Sequence, residues 1–430
     1  MEDAIMLAFS SKAFVETVDL DAFPLVILKT TVPHGGWILL IYVSILEAPM
    51  VLQMMKYKSI DTSLLGIVLF LMCSGCNPRT PDSVHSVDLS KPEDLSFYDY
   101  FSRYEIIPLE TETGAMINYF RTEWKMYGGL HYLLNTRLHS LDIFDGEGHF
   151  LRQINHRGNG HGEYGEAYDF QINPFTGNLE ILDPMRGIFI YDSAGVEFFE
   201  RLRLPVLAAH SFSSLSEDIY VLFSESRKED CKMLIYSKSQ DVIVKEVYPM
   251  PDFIFRKTVW HHANNPFYRL DDNLYFVQTY NGTVFRVVLQ GSLEERYCWD
   301  FGRHNFLIER LPQNEEMNWY LNFRNHEAPK YATQFLYNSE NHRYFMNRFA
   351  HDNKYYNLIY DKKTQECHLI NTFREHLLLV PQKMDDDALY YLMPGMFVER
   401  WSKDNGGQLN FPSDDVDACY IVKYYFKKDE

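Results

Sequence analysis

The chain has no apolar run long enough to cross a bilayer as a helix. Its two hydrophobic stretches, residues 36–46 and 64–72, both fall short of the ~20 residues such a span needs. Positive charge is also scarce. Forty-one Lys and Arg face 59 Asp and Glu, a net charge of −18, so no nucleic-acid partner is expected, because tracking phosphates demands a basic footprint. Cysteine is sparse, and four of the six residues (Cys231, Cys298, Cys367, Cys419) lie far apart without metal-ligand spacing. They read as isolated core residues, with one or two disulfides open as the alternative in an oxidising compartment. No Gly-x-Ser-x-Gly elbow occurs, so a serine hydrolase of that class lacks its nucleophile. His156 and His161, and the pair His261-His262, offer neither an i,i+4 helical pair nor a third local ligand for a metal.

What is present is repetition. Leu141-Asp-Ile-Phe-Asp-Gly-Glu-Gly-His-Phe-Leu151 and Ile188-Phe-Ile-Tyr-Asp-Ser-Ala-Gly-Val-Glu-Phe198 share one plan, an apolar strand, an acidic residue with a glycine turn, and a second apolar strand. The unit returns every 45 to 50 residues. Ile143 to Ile190 is 47, Ile190 to Ile235 is 45 and Ile235 to Val284 is 49. A period of this length, with four short strands per unit, is the signature of a β-propeller. Aromatics at 16% suit pleated, half-buried surfaces better than a helical bundle.

Six units fit. The clearest spans residues 168–204, with strands at 168–172, 179–183, 187–192 and 196–202. It is preceded by 110–154 and followed by 208–248 and 268–301. In the last of these, Asn281-Gly282 marks a hairpin. Two looser units lie at 331–373 and 385–426. The wider gap before them places an insertion at 304–330, where Glu315 to Leu321 fits a short helix. A ring must join its ends, because open sheet edges invite aggregation. Residues 105–109 are therefore expected to lend a strand to the last blade. The fold class that follows is all-β, a six-bladed β-propeller with four-stranded antiparallel blades.

The region before the repeats reads as an address. Lys56 and Lys58 precede the apolar run 64–72, and Ser74-Gly75-Cys76 ends it on small residues and a cysteine. The layout resembles a bacterial lipoprotein signal cut before Cys76, which would carry the lipid. Cys73 stands where Leu, Val or Ile is commoner. A CxxC redox pair is the rival reading, but no βαβ unit follows. Residues 1–53 are expected to be a non-native extension upstream of the true start at Met54 or Met55, 54–75 the signal peptide, 76–102 a polar tether, and 103–426 the propeller.

Gly158-Asn-Gly-His-Gly-Glu-Tyr164 is the most distinctive short motif. A phosphate-cradling loop would open a helix, whereas residues 168–172 read as strand. The glycines instead let the chain cross between blades. The motif resembles that of the six-bladed β-propeller lipoproteins of anaerobic gut bacteria, relatives of the NHL-repeat propellers, in which Gly-Arg-Gly-Pro-Gly-Glu-Tyr often follows a first Phe-Asp-x-x-Gly turn. Gly158, Gly160, Gly162, Glu163 and Tyr164 match, while Asn159 replaces the usual Arg and His161 the usual Pro. The resemblance covers residues 104–426 and is strongest over 138–200. It implies the propeller fold and leaves activity unassigned.

The expected function is a non-catalytic binding module on the bacterial cell envelope, lipid-anchored at Cys76, with the outer membrane the expected site. It is expected to be monomeric, to need no cofactor, and to take a glycan, peptide or envelope protein. His161, Glu163, Asp183 and Arg186 are the candidate contacts on its loop-bearing face. The alternative is a metal-dependent hydrolase or lyase, its cation held in the central channel by acids that end strands, such as Asp142, Asp183, Asp192 and Asp361.

Overall fold

The computed structural model describes residues 84–111, 117, 122–204, 209–224, 231–249, 266–277, 280, 282–307, 323–398, 415 and 417–428, together with four N-terminal strands. Those strands (Leu7–Phe9, Ala13–Leu20, Phe23–Thr31, Ile38–Ser44) form an antiparallel meander inside a separate unit, residues 1–79. The signal segment, Cys76, His261-His262 and the piece expected to be helical at 315–321 lie outside the described residues.

The second unit carries six sheets in chain order. Blade 1 runs from its innermost strand Thr122–Tyr127 through Leu130–Asn135 and Ser140–Phe144 to Phe150–Ile154. Blade 2 comprises Asp169–Ile172, Leu179–Asp183, Gly187–Tyr191 and Phe198–Leu202. Blades 3, 4 and 5 begin on the inner strands Ser211–Ser214, Phe267–Leu270 and Thr333–Glu340. Blade 6 starts on the two-residue strand Lys383–Met384, continues through Ala388–Pro394 and Cys419–Phe426, and takes its outer strand, Phe101–Pro108, from the other end of the domain. The expected ring closure is therefore present.

The middle strands are largely buried and mostly apolar because both faces of each sheet are covered. Alternate side chains point to opposite faces. In blade 2, Ile181 packs with Tyr132 and Leu134 of blade 1, while its neighbour Leu182 packs with Tyr220 and Leu222 of blade 3. The six buried clusters correspond one to one with the six seams between blades.

The repeated Asp-x-x-Gly is a hairpin between third and fourth strands. Asp145 Oδ1 accepts from the backbone N–H of Glu147 and His149, and Asp192 Oδ1 from those of Val196 and Glu197. Gly148 (φ +89°) and Gly195 (φ +68°) take the left-handed position that such a turn requires. At Gly148 a Cβ would fall 2.2 Å from the Pro108 carbonyl oxygen, so the turn also needs glycine to sit against the closing strand.

The segment read as a tether differs from expectation. Val84–Ser86 adds a fifth, parallel strand to blade 4, and Val87, Leu89 and Phe97 are buried. The Glu93 N–H donates to the Leu369 carbonyl of blade 5, and Glu375 accepts from Ser96 and from the Phe97 N–H. A strand of three residues and single apolar anchors leave no period to read in sequence.

Candidate functional site

The innermost strands of all six blades line a cavity of about 1030 Å³ on the ring axis. Its wall is aromatic and ionic together. Tyr127, Tyr132, Tyr268 and Tyr390 share it with Glu123, Lys125, Arg269, Lys383 and Lys423.

Inner-strand cations reach across to a neighbouring blade. Lys125 Nζ lies 2.6 Å from Asp169 Oδ1 and also donates to the Phe170 carbonyl of blade 2. Asp169 in turn accepts from the Phe212 N–H of blade 3 at 3.0 Å, so one carboxylate ties three blades. Arg269 of blade 4 donates to the Ser214 carbonyl of blade 3, and its guanidinium lies 5.6 Å from the Phe175 ring centre. Burial lowers its pKa to about 10. Burial also pushes the Lys383 ammonium down, Glu123 and Asp169 pull it back up, and Lys125 lowers it further. His131 lines the same wall, and burial together with Lys423 drives it down to about 4, which keeps it neutral at physiological pH.

Two buried carboxyls flank this wall with opposite behaviour. Among the described residues Glu180 has no cation in contact, Lys238 acting on it only at a distance. It accepts from Gln171, Asn173 and the Tyr220 hydroxyl, and burial raises its pKa. Glu340 is fully buried. It accepts from Arg296 at 2.5 Å, Lys362 at 2.9 Å, and the hydroxyls of Tyr297 and Tyr268. Burial pushes it up, but Lys362 and Arg296 outweigh that and hold it below the usual range.

The structure gathers His161, Glu163, Asp183 and Arg186 in one loop group, as their candidacy required, and most of their polar atoms serve the loop itself. Asp183 Oδ1 accepts from the Met185 and Arg186 N–H groups, and its Oδ2 from those of Gly165 and Glu166. Arg186 donates to the carbonyls of Gly158 and Glu163 and to Asn159 Oδ1. Glu163 accepts from the Gly160 N–H at 2.7 Å. His161 is exposed, its ring edge-on to Phe198. His156 bonds the Gly195 carbonyl and stacks on Tyr191.

The strand-ending acids behave likewise. Asp192 and Asp361 accept from turn N–H groups, and Asp142 from Gln153. Among the described residues, no three His, Cys, Asp or Glu side chains converge as a metal would require. Cys298 and Cys367 are partly buried free thiols and Cys419 a fully buried one.

The cavity residues Lys125, Arg269 and Lys383 escape a reading of sequence. Blades 1, 4 and 6 contribute one each, more than 100 residues apart, within strands whose alternation looks ordinary.

The fold has solved counterparts. A Bacteroides fragilis protein provisionally named as exported aligns with a TM-score of 0.58 at 13% identity, covering 80% of this chain and 99% of that one. A member of the DUF4221 family from Bacteroides vulgatus aligns at 0.46 and 12% identity, covering 76% and 97%. No curated protein matches the sequence. A family profile described as a domain of unknown function, DUF4934, matches residues 83–418, which span the strap formed by the segment at 84–101 and nearly the whole ring, and the chain belongs to that family.

Proposed function

We propose that this protein is an exported, lipid-anchored propeller that binds rather than transforms its partner, and that the central channel receives a glycan or peptide segment. The carrying observation is the channel itself. It is a roughly 1030 Å³ recess lined by the inner strands of all six blades, to which blades 1, 4, 5 and 6 bring tyrosines and ionic groups. Pre-formed recesses of mixed apolar and polar lining are the usual small-molecule sites, and tyrosine offers a flat ring with a polar tip. Exposed His161, whose ring lies against Phe198 of the outer strand of blade 2, is offered as a separate surface contact.

Calorimetry of the purified protein against a panel of soluble oligosaccharides and peptides tests the reading. A ligand should be found, and Ile172→Trp, which enlarges a side chain at the wall, should weaken it about tenfold or more at a temperature where the variant's own melting curve shows it folded, since Ile172 also packs against the seam of blades 1 and 2. Undiminished binding in that variant would move the site elsewhere. Stoichiometric calcium or zinc in the purified protein, lost together with an activity on chelation, would overturn the non-catalytic reading.

The anchor has its own test. The signal layout ending at Cys76 supports lipid attachment. Growth with a clickable fatty acid should label the wild-type protein and leave Cys76→Ser unlabelled and released from membranes. Label persisting on Cys76→Ser would refute the assignment.

A further inference from the structure

The channel and the whole chain differ in the sign of their charge. The chain carries −18. Around the cavity the balance reverses. Lys125, Arg269, Lys383 and Lys423 stand against Glu123 and Asp169, because the other two acids of the wall are consumed by the protein. Glu340 is enclosed by Arg296, Lys362, Tyr268 and Tyr297, and Asp385 serves the Asp387 and Ala388 N–H groups and the Tyr390 hydroxyl.

The four cations are not equivalent. Lys125 is neutralised by Asp169 in contact, and Lys423 lies over the rings of Tyr390 and Tyr425. Among the described residues Arg269 reaches a carbonyl and a serine hydroxyl but no carboxylate, Asp272 acting on it only at a distance. The Lys383 ammonium has no hydrogen bond or ion pair among the described residues, and Glu123 and Asp169 act on it only at a distance. Blades 6 and 4 thus each present a cation that no described residue neutralises by contact. A low-dielectric channel focuses such charge onto whatever enters it.

We infer that the channel takes an acidic saccharide, a short oligosaccharide bearing carboxylates, with Lys383 as its ionic anchor and Arg269 as a second donor. The inference rests on the channel being the receiving site. The cations choose the sign of the ligand. The tyrosine faces favour sugar rings, whose C–H faces stack on an aromatic plane, over the extended backbone of an acidic peptide. The volume lies at the upper end of small-molecule sites, roughly 300–1000 Å³, which suits a few sugar rings and not a protein domain.

Titration calorimetry with trigalacturonate, its uncharged counterpart galactotriose, and triglutamate decides the matter. Trigalacturonate should bind about tenfold or more tighter than galactotriose, with an advantage that shrinks as sodium chloride is raised. Lys383→Gln should erase the advantage and Lys383→Arg should keep most of it. The salt dependence is read on wild-type protein, so it stands even if the glutamine variant folds poorly. Equal or tighter binding of galactotriose would overturn the charge assignment and leave the channel reading intact. Equal or tighter binding of triglutamate would overturn the saccharide assignment alone. If the wider panel finds a channel ligand and none is acidic, only this inference falls. If no ligand of any kind binds, both readings fall.

Discussion

Deleting residues 103–109 is expected to abolish the cooperative melting transition of the propeller, or to lower it far enough that the protein no longer survives purification intact. Among the described residues the strand Phe101–Pro108 is the sheet partner of Cys419–Phe426 on its outer side, pairing from Tyr420 opposite Pro108 to Phe426 opposite Phe101. Removing it strips the ladder from that edge and opens the ring between blades 6 and 1. Ile107 and Leu109 are buried in that seam beside Trp124, Leu133 and Ile421. At ~1.5–3 kcal/mol for each fully buried side chain, these two alone contribute about 3–6 kcal/mol, against ~5–15 kcal/mol for a whole domain. The loss also removes the carbonyl against which Gly148 is fitted, so the blade 1 hairpin loses its seat. Differential scanning calorimetry reads the effect directly. A deletion variant that melts like the wild type would mean that the ring is held by its seams alone.

The closing strand also shows what a sequence of this kind discloses. Blades 1 and 2 were legible because their third-to-fourth-strand turns need both a side-chain acceptor and a positive φ, which forces Asp and Gly to fixed positions three residues apart. The strands of blade 2 stand within two residues of where alternation puts them. Blade 6 was faint because its first strand has two residues and its last comes from the far end of the domain. The strap at 84–101 was missed for a related reason: a short parallel strand depends on a neighbour some 215 residues away for its definition. The loop group was found, since Gly158 to Tyr164 is locally unusual. What remained hidden was that Asp183 and Arg186 direct their hydrogen bonds inward. Spacing reports which residue types converge, whereas the direction of their donors and acceptors is set by backbone N–H groups that every residue possesses alike. The channel cations were invisible for the complementary reason, because no local pattern distinguishes a lysine facing the axis from one facing solvent.

Replacing Glu340 by alanine is expected to cost about 3 kcal/mol or more, the largest single-residue effect foreseen here. Its carboxylate is fully buried between blades 4 and 5, where Arg296 and Lys362 meet it from two sides and two tyrosine hydroxyls complete its shell. A buried ion pair adds little over a well-packed apolar replacement, but removing one partner strands the other charge without water, at about 3–5 kcal/mol. Here two mostly buried cations, 28% and 17% exposed, would be left against each other, with Arg296 held over the Tyr275 and Tyr297 rings. The sign of the pH dependence follows. The folded pKa of Glu340 lies below its unfolded value of about 4.3, so its contribution is present above that value and fades as pH falls through the lower folded one. Glu180 runs the other way. Its folded pKa is raised, so its protonated form favours folding at low pH and that contribution is lost as pH climbs through the folded value. Denaturant titrations across this range should therefore show the wild type losing an increment of stability at acid pH that Glu340→Ala never had. A double-mutant cycle with Arg296→Ala separates the stranded charge from simple loss of packing, because Glu340→Ala should cost markedly less once Arg296 is gone. Equal costs in both backgrounds would show that the carboxylate acts through its tyrosine hydrogen bonds and Lys362, and that Arg296 is held by its aromatic neighbours alone.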